Sequence, residues 1–181
     1  MSGSHRGHDD RLLDALDELE RHAFEGTAWR VVREGRSPLD GSRGSGRWNP
    51  SELSVLYTAL DPDGALSEIH FHISRNQPIF PSRIRHELCE LSTTTDQTLI
   101  LADMDALVQL GVEKERYTEI LYSRTQEIAS AAAFMGFDGL IAPSARHNCN
   151  NLVLFLDNYN LEGIEVVSQA PIDWNAWQEK R

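Results

Sequence analysis

Leucines at positions 12, 13, 16 and 19 fall on one face of "DDRLLDALDELERHAF", and Asp9 or Asp10 stands ahead of them as a cap. The spacing predicts an acidic amphipathic helix that ends near Gly26. "TAWRVVRE" follows, rich in β-branched and aromatic residues, and reads as a short strand. A loop at 35–53 separates it from a second strand, "SVLYTAL", at 54–60. "DPDGALSEIHFHIS" opens a helix with Asp61 as N-cap and Pro62 as its first helical residue. Leu66, Ile69 and Ile73 supply its buried side, joined by Phe71 or His72.

Farther along, "SRIRHELCELS" and "TLILA" have strand character, the first more exposed than the second. A short helix at 103–110 is stopped by Gly111. A longer one at 117–135 puts Ile120, Leu121, Ile128, Ala132 and Met135 near one face and is closed by Gly136. "DGLIAP", "NLVLFL" and "GIEVVSQ" are three further strands, with Pro143 ending the first and the polar "SARHNCNN" separating it from the second. Two tryptophans in "PIDWNAWQEKR" predict that the C-terminal segment packs on the body. Residues 1–8, with their "HRGH", read as a flexible tail. Strands outnumber helices and do not alternate regularly with them. That pattern predicts an α+β fold: a small mixed or antiparallel sheet with flanking helices. Its organisation is one domain over 27–181, preceded by a tail and acidic helix over 1–26.

Composition narrows the function classes. The chain has 181 residues and a formal net charge of -11. Long-range electrostatics therefore oppose nonspecific binding to nucleic acid or to an anionic membrane. Any anionic ligand must be caught by a local cluster of positive groups. The two cysteines, Cys89 and Cys149, show neither a metal spacing nor a disulfide framework. With no apolar leader and no long apolar run, the expected location is the reducing cytosol.

Candidate chemistry begins at Arg30, inside the apolar "AWRVV". It is either an exposed edge position or a guanidinium aimed into a cleft, suited to phosphate. Arg43 and Arg47 lie in "GSRGSGRWNP", where backbone N–H groups can approach an anion. Trp48, followed by Asn-Pro, can anchor that loop so that Arg47 is held. Glu68 sits where the helix changes face, so it is either a surface carboxylate or a partner of Tyr57 in one pocket. Tyr57 in turn fits a core aromatic as well as a ligand platform. Ser144, Arg146, His147 and Asn148 follow a buried strand and either line a site or satisfy a turn. A Ser144–His147 hydrolase lacks a G-x-S-x-G elbow. A metal site from His70, His72 and His86 has no H-E-x-x-H pattern and places His70 and His72 on different helix faces.

Taken in order, "WR" at 29–30, "GRWNP" at 46–50, "LYTA" at 56–59, Glu68, "GFDGLIAPSAR" at 136–146 and "NLVLF" resemble the RES domain, over roughly residues 28–160. The "SRTQEIASAA" helix at 123–132 is similar to the helix before that family's last motif. The resemblance implies an ADP-ribosyltransferase-like fold, NAD as substrate without a metal, and the toxin role of a toxin–antitoxin pair with an Xre-like partner. It matches Arg30 and Arg47 to the family's arginines, Tyr57 to its pocket tyrosine, Glu68 to its glutamate and Ser144 to its serine. Arg43 lies outside the match.

The chemistry of those residues agrees. Breaking the nicotinamide–ribose bond develops oxocarbenium-like charge on the ribose, which a carboxylate such as Glu68 can stabilise. Arg30 and Arg47 suit the pyrophosphate. Tyr57 can stack on nicotinamide or wall the pocket, and Ser144 can hydrogen-bond nicotinamide or ribose. The expected reaction is NAD cleavage with phosphate or water as acceptor. Two alternatives stay open: ADP-ribosyl transfer to a protein, and a non-catalytic RES-like module that binds a nucleotide or a partner. DNA contacts would fall to an antitoxin rather than to this acidic chain. The N-terminal acidic helix is open to capping the domain, contacting a partner or forming a homo-oligomer.

Overall fold

A computed structural model describes residues 7–42, 44–76 and 85–181. The expectations for Arg43, for residues 1–6 of the tail and for the start of "SRIRHELCELS" at 82–84 lie outside the described residues. Helix α1 (Asp10–Asp17) leads into strand β1 (His22–Arg33), then β2 (Val55–Ala59), α2 (Pro62–Asn76), β3 (His86–Ile100) and α3 (Met104–Gln109). Helix α4 (Ser123–Phe134), β4 (Gly139–Pro143), β5 (Asn150–Phe155), β6 (Ile164–Pro171) and α5 (Trp174–Glu179) complete the chain.

The six strands run in the order β1-β2-β5-β4-β3-β6, and β1 also pairs with β3. That extra ladder closes β1, β2, β5, β4 and β3 into a ring, with β6 outside β3. Only β3–β4 is parallel; the other pairings are antiparallel. The α+β class and its mixed sheet are as the patterning predicts. The ring is pinched where β1 meets β2, joined there through Trp29 and Ala59. This leaves β1, β2 and the loop between them free to open around a cavity.

Local chemistry explains most boundaries. Asp61 Oδ1 accepts from the backbone N–H of Asp63 (2.8 Å) and Gly64 (3.2 Å), so it caps α2 as expected. Gly111 and Gly136 follow their helices with φ of +91° and +87°, the left-handed turn that glycine makes without strain. The main core joins Leu12 and Leu16 of α1 to Ile128, Ala129 and Ala132 of α4 and to Leu99, Leu140 and Phe155 of the sheet. Trp174 is buried and Trp177 packs against the same apolar group, as the C-terminal pattern predicts.

Three expectations are corrected. The first helix ends at Asp17, not near Gly26, because residues 22–26 pair with β3 from Thr98 back to Thr93. The two strands read in "SRIRHELCELS" and "TLILA" are one strand over the described positions. Buried Thr93 and Thr95 continue the inward alternation of Cys89 and Leu91 where apolar residues are lacking, and Thr98 is buried beyond the exposed pair Asp96 and Gln97. Threonine is β-branched and suits a strand, but its hydroxyl hides the hydrophobic signal. The helix expected over 117–135 shrinks to α4. Its forerunner is a short 3-10 turn at Lys114–Arg116, after which the chain bends to bring Tyr117 and Tyr122 beside Arg47.

Candidate active site

A cavity of about 470 Å³ opens where β1, β2, α2 and the loop before β2 meet. Helix α2 presents Ala65, Glu68, Ile69, His72 and Arg75 to it, positions that recur on one face at helical spacing. The ambiguity over Glu68 is thereby resolved: it lies on the cavity side and is half-buried. Ser144 Oγ donates to Glu68 Oε1 at 2.7 Å, and Asn151 Nδ2 donates to the same oxygen at 3.3 Å. Ser144 Oγ in turn accepts from the backbone N–H of Arg146 (3.1 Å) and His147 (3.3 Å). The turn after β4 therefore fixes the serine, and the serine fixes the carboxylate.

Tyr57 on β2 lines the cavity, but its hydroxyl is engaged in the loop. It accepts from Trp48 N–H at 2.9 Å and donates to Asn49 Oδ1 at 2.6 Å. Burial raises its phenol well above the ordinary value, and nearby Tyr122 and Glu68 add to the effect. Trp48 is fully buried, as an anchor should be. The clamp on the loop is nonetheless broader than a tryptophan. Thr125 Oγ1 on α4 donates to the Arg47 carbonyl, and Gln126 Nε2 donates to the Gly46 carbonyl at 2.8 Å. Gly46 is required by close approach, since a Cβ there would lie 2.6 Å from the Tyr57 hydroxyl.

With its backbone held, Arg47 reaches the cavity and stacks over Tyr117 (4.8 Å) and Tyr122 (4.9 Å). Arg30 also lines the cavity, and β1 is no simple edge strand, since β3 flanks it throughout. Its Nη1 donates to the Pro38 carbonyl at 2.8 Å. Burial lowers its pKa, with the charges of Cys89 and Asp40 opposing that shift. Arg30, Arg47, Tyr57 and Glu68 thus share one cavity, with Ser144 bound to Glu68 from behind.

Other candidates fall elsewhere. The His147 side chain lies 3.6 Å from Asp61, and only its backbone bonds to Ser144, so the hydrolase pair is not assembled. His70 and His86 pack on Trp174 while His72 lines the cavity. Cys89 and Cys149 are free thiols. No described helix is long and apolar enough to cross a membrane. Sequence reasoning passed over Asn151, Asn49, Tyr122 and the α4 clamp. Asn151 had one available signal, a polar residue opening an otherwise apolar strand beside the "SARHNCN" turn.

Comparison with known proteins adds three findings. The family model described as the RES domain matches residues 27–175. Toxin Res of Pseudomonas putida is 33% identical over 75 residues, covering 41% of this chain and 52% of that protein. This chain thus spans about half the length of that curated relative. A chain from the crystal structure of the M. tuberculosis MbcT-MbcA toxin-antitoxin complex superimposes with a TM-score of 0.83 at 20% identity. The overlap covers 94% of this chain and 97% of the other, a likeness of fold.

Proposed function

Because this chain belongs to the RES domain family, we propose that it is an NAD-degrading toxin that cleaves the nicotinamide–ribose bond and is held in check by an antitoxin. The observation that carries this reading is the Glu68 carboxylate, fixed by Ser144 and Asn151 in a cavity that also carries Arg30 and Arg47. Both of those hydrogen bonds fall on Oε1, which leaves Oε2 for the ribose. As the C1–N bond breaks, its electron pair goes to the nicotinamide nitrogen and positive charge develops on the ribose. Glu68 stabilises that charge, and its fixed orientation avoids reorganisation during the reaction. A phosphate or water oxygen then bonds to C1, and with water a proton is released.

Arg30 and Arg47 receive the pyrophosphate, Arg47 pre-oriented by its two tyrosine rings. Tyr57 walls the pocket with its ring, since its hydroxyl is committed to the loop. Ser144 acts through Glu68 as a positioning residue. The relatives named as toxins support the biological role, with the antitoxin as partner.

The test follows NAD loss in antitoxin-free protein, with and without phosphate, and identifies the ribosyl product. Glu68→Gln should lower the rate roughly 100- to 1,000-fold, as loss of one transition-state contact does. In cells the same change should relieve growth arrest. NAD that survives prolonged incubation with soluble wild-type protein sinks the reading. NAD binding without turnover, unaffected by Glu68→Ala but weakened by Arg47→Ala, identifies a binding module instead.

A further inference from the structure

Helix α2 carries its cavity residues on one side only: Ala65, Glu68, Ile69, His72 and Arg75. At the helical period of about 3.6 residues, Asp63, Ser67 and His70 fall on the opposite side. The segment made of α5 and the two residues after it meets all three. Trp177 Nε1 donates to Asp63 Oδ1 at 3.0 Å, and Arg181 Nη2 donates to Ser67 Oγ at 3.0 Å. The Gln178 amide nitrogen lies 2.6 Å from His70 Nε2. Burial and then Arg181 lower the His70 pKa, which favours the neutral ring that accepts from Gln178. Among the described residues that line the cavity, none belongs to this segment. Trp177, Gln178 and Arg181 also lie beyond residues 27–175, the span that the RES domain model matches.

The segment is itself tied to the sheet. Ile172 N–H donates to the His86 carbonyl at 2.9 Å, and Trp174 Nε1 donates to His86 Nδ1 at 3.3 Å. Asp173 caps α5 by accepting from Ala176 N–H at 3.0 Å. Trp174 is buried in the apolar group that joins Ala65 and Leu66 of α2 to Val31 of β1 and Ala59 of β2. Trp177 stands edge-on to Trp174 at 5.6 Å and carries the Arg181 guanidinium over its ring at 4.4 Å. The brace thus runs from β3 through α5 to the back of α2. It reaches that helix at Ser67, the buried residue just before Glu68. Ser144 and Asn151 fix the carboxylate, and α5 fixes the backbone behind it. A turn of α2 about its axis would swing Glu68 off Ser144 and stretch the three outer contacts together.

We propose that Trp177 and Arg181 are positioning residues, which act through α2 to hold Glu68 at the depth and angle that the reaction uses. A misplacement of about 1 Å can cost a reacting group roughly 100-fold in rate, so support from outside the cavity is felt in the chemistry. Substrate binding is largely separate, because Arg30, Arg47 and Arg146 line the cavity from elements other than α2. The consequence for rate rests on the NAD reading of the cavity; the brace on α2 does not.

The test compares Arg181→Ala and Trp177→Phe with the wild-type chain, in steady-state NAD cleavage and in amide hydrogen exchange. Arg181 is exposed, and phenylalanine keeps an aromatic ring at 177 while losing the N–H, so both variants should fold. Each should lower kcat roughly tenfold and leave KM for NAD within about twofold. Arg181→Lys should recover part of kcat, because it keeps a charged donor for Ser67. Amides of α2 should exchange roughly tenfold faster in Arg181→Ala, with those of β4 and β5 unchanged. Full kcat in both variants overturns the proposal even where the urea midpoint falls, since that is packing alone. A raised KM at unchanged kcat also overturns it, by moving the effect to binding. In a wild-type chain that fails to consume NAD, exchange decides. Protection of α2 that is unchanged, or lost throughout the chain, rejects the brace; loss confined to α2 leaves the brace standing and removes only the reaction.

Discussion

Asn49 is 1% exposed, and every polar atom of its side chain is in use. Its Nδ2 donates to the carbonyls of Gly44 (2.9 Å), Leu53 (3.1 Å) and Pro50 (3.2 Å), and its Oδ1 accepts from Tyr57. Removing that amide takes away the acceptor of the Tyr57 hydroxyl proton and the side-chain donor of the Gly44 and Leu53 carbonyls. Asn49→Ala should therefore destabilise the protein by about 1–3 kcal/mol, read from the urea midpoint. It should also raise KM for NAD more than it lowers kcat, because the loop it closes presents Arg47. An unchanged KM would separate Asn49 from the site. The "WNP" pattern identified the buried tryptophan as the anchor. It did not identify the asparagine, because a loop asparagine reads as a solvated polar residue until its acceptors are located. Those acceptors lie up to five positions away, and the donor to its oxygen is a tyrosine on the next strand.

Helix α1 illustrates the same division at the level of elements. Its leucines marked an amphipathic helix, and Leu12 and Leu16 are buried in the main core against α4. Leu16→Ala should cost about 2–5 kcal/mol in denaturant unfolding, the range for a truncated core leucine. A loss below about 0.5 kcal/mol, typical of a surface change, would detach α1 from the core. The end of the helix was not legible. "ERHAF" continues a helix-compatible pattern, and only the β3 ladder draws residues 22–26 into a strand. Strand β3 was obscured in the opposite way, with threonines standing where the pattern needed apolar residues. In α4, Thr125 and Gln126 looked like ordinary helical polar residues. Their use, bonding the loop at 45–49, depends on a neighbour about eighty positions away.

For the molecule as a whole, buried phenols set an alkaline limit. Burial raises Tyr57 and Tyr117, and it raises Tyr159 to about 12, where the hydroxyl donates to the Thr94 carbonyl at 2.8 Å. In the unfolded chain these groups titrate near ~10. The unfolded state thus gives up its phenolic protons first. Their stabilising effect is complete below ~10 and is lost as pH rises from there toward the folded values. Urea midpoints measured from about pH 8 to about pH 11 should fall at the upper end, and Tyr117→Phe should flatten the fall. A midpoint constant over that range would refute it. The sequence by itself determined the α+β class and most strand and helix cores, and it singled out Arg30, Arg47, Tyr57, Glu68 and Ser144 as candidates, of which the first four line one cavity and Ser144 bonds to Glu68. It could do so because capping, alternation and motif order are local or linear properties of a chain. Only the tertiary structure decided that Ser144 backs Glu68, that the Tyr57 hydroxyl serves the loop, and that Arg146 and Arg75 add charge to the cavity. Those facts depend on contacts across strands β2, β4 and β5 and helix α2, whose partners are set by the closing of the sheet and not by spacing along the chain.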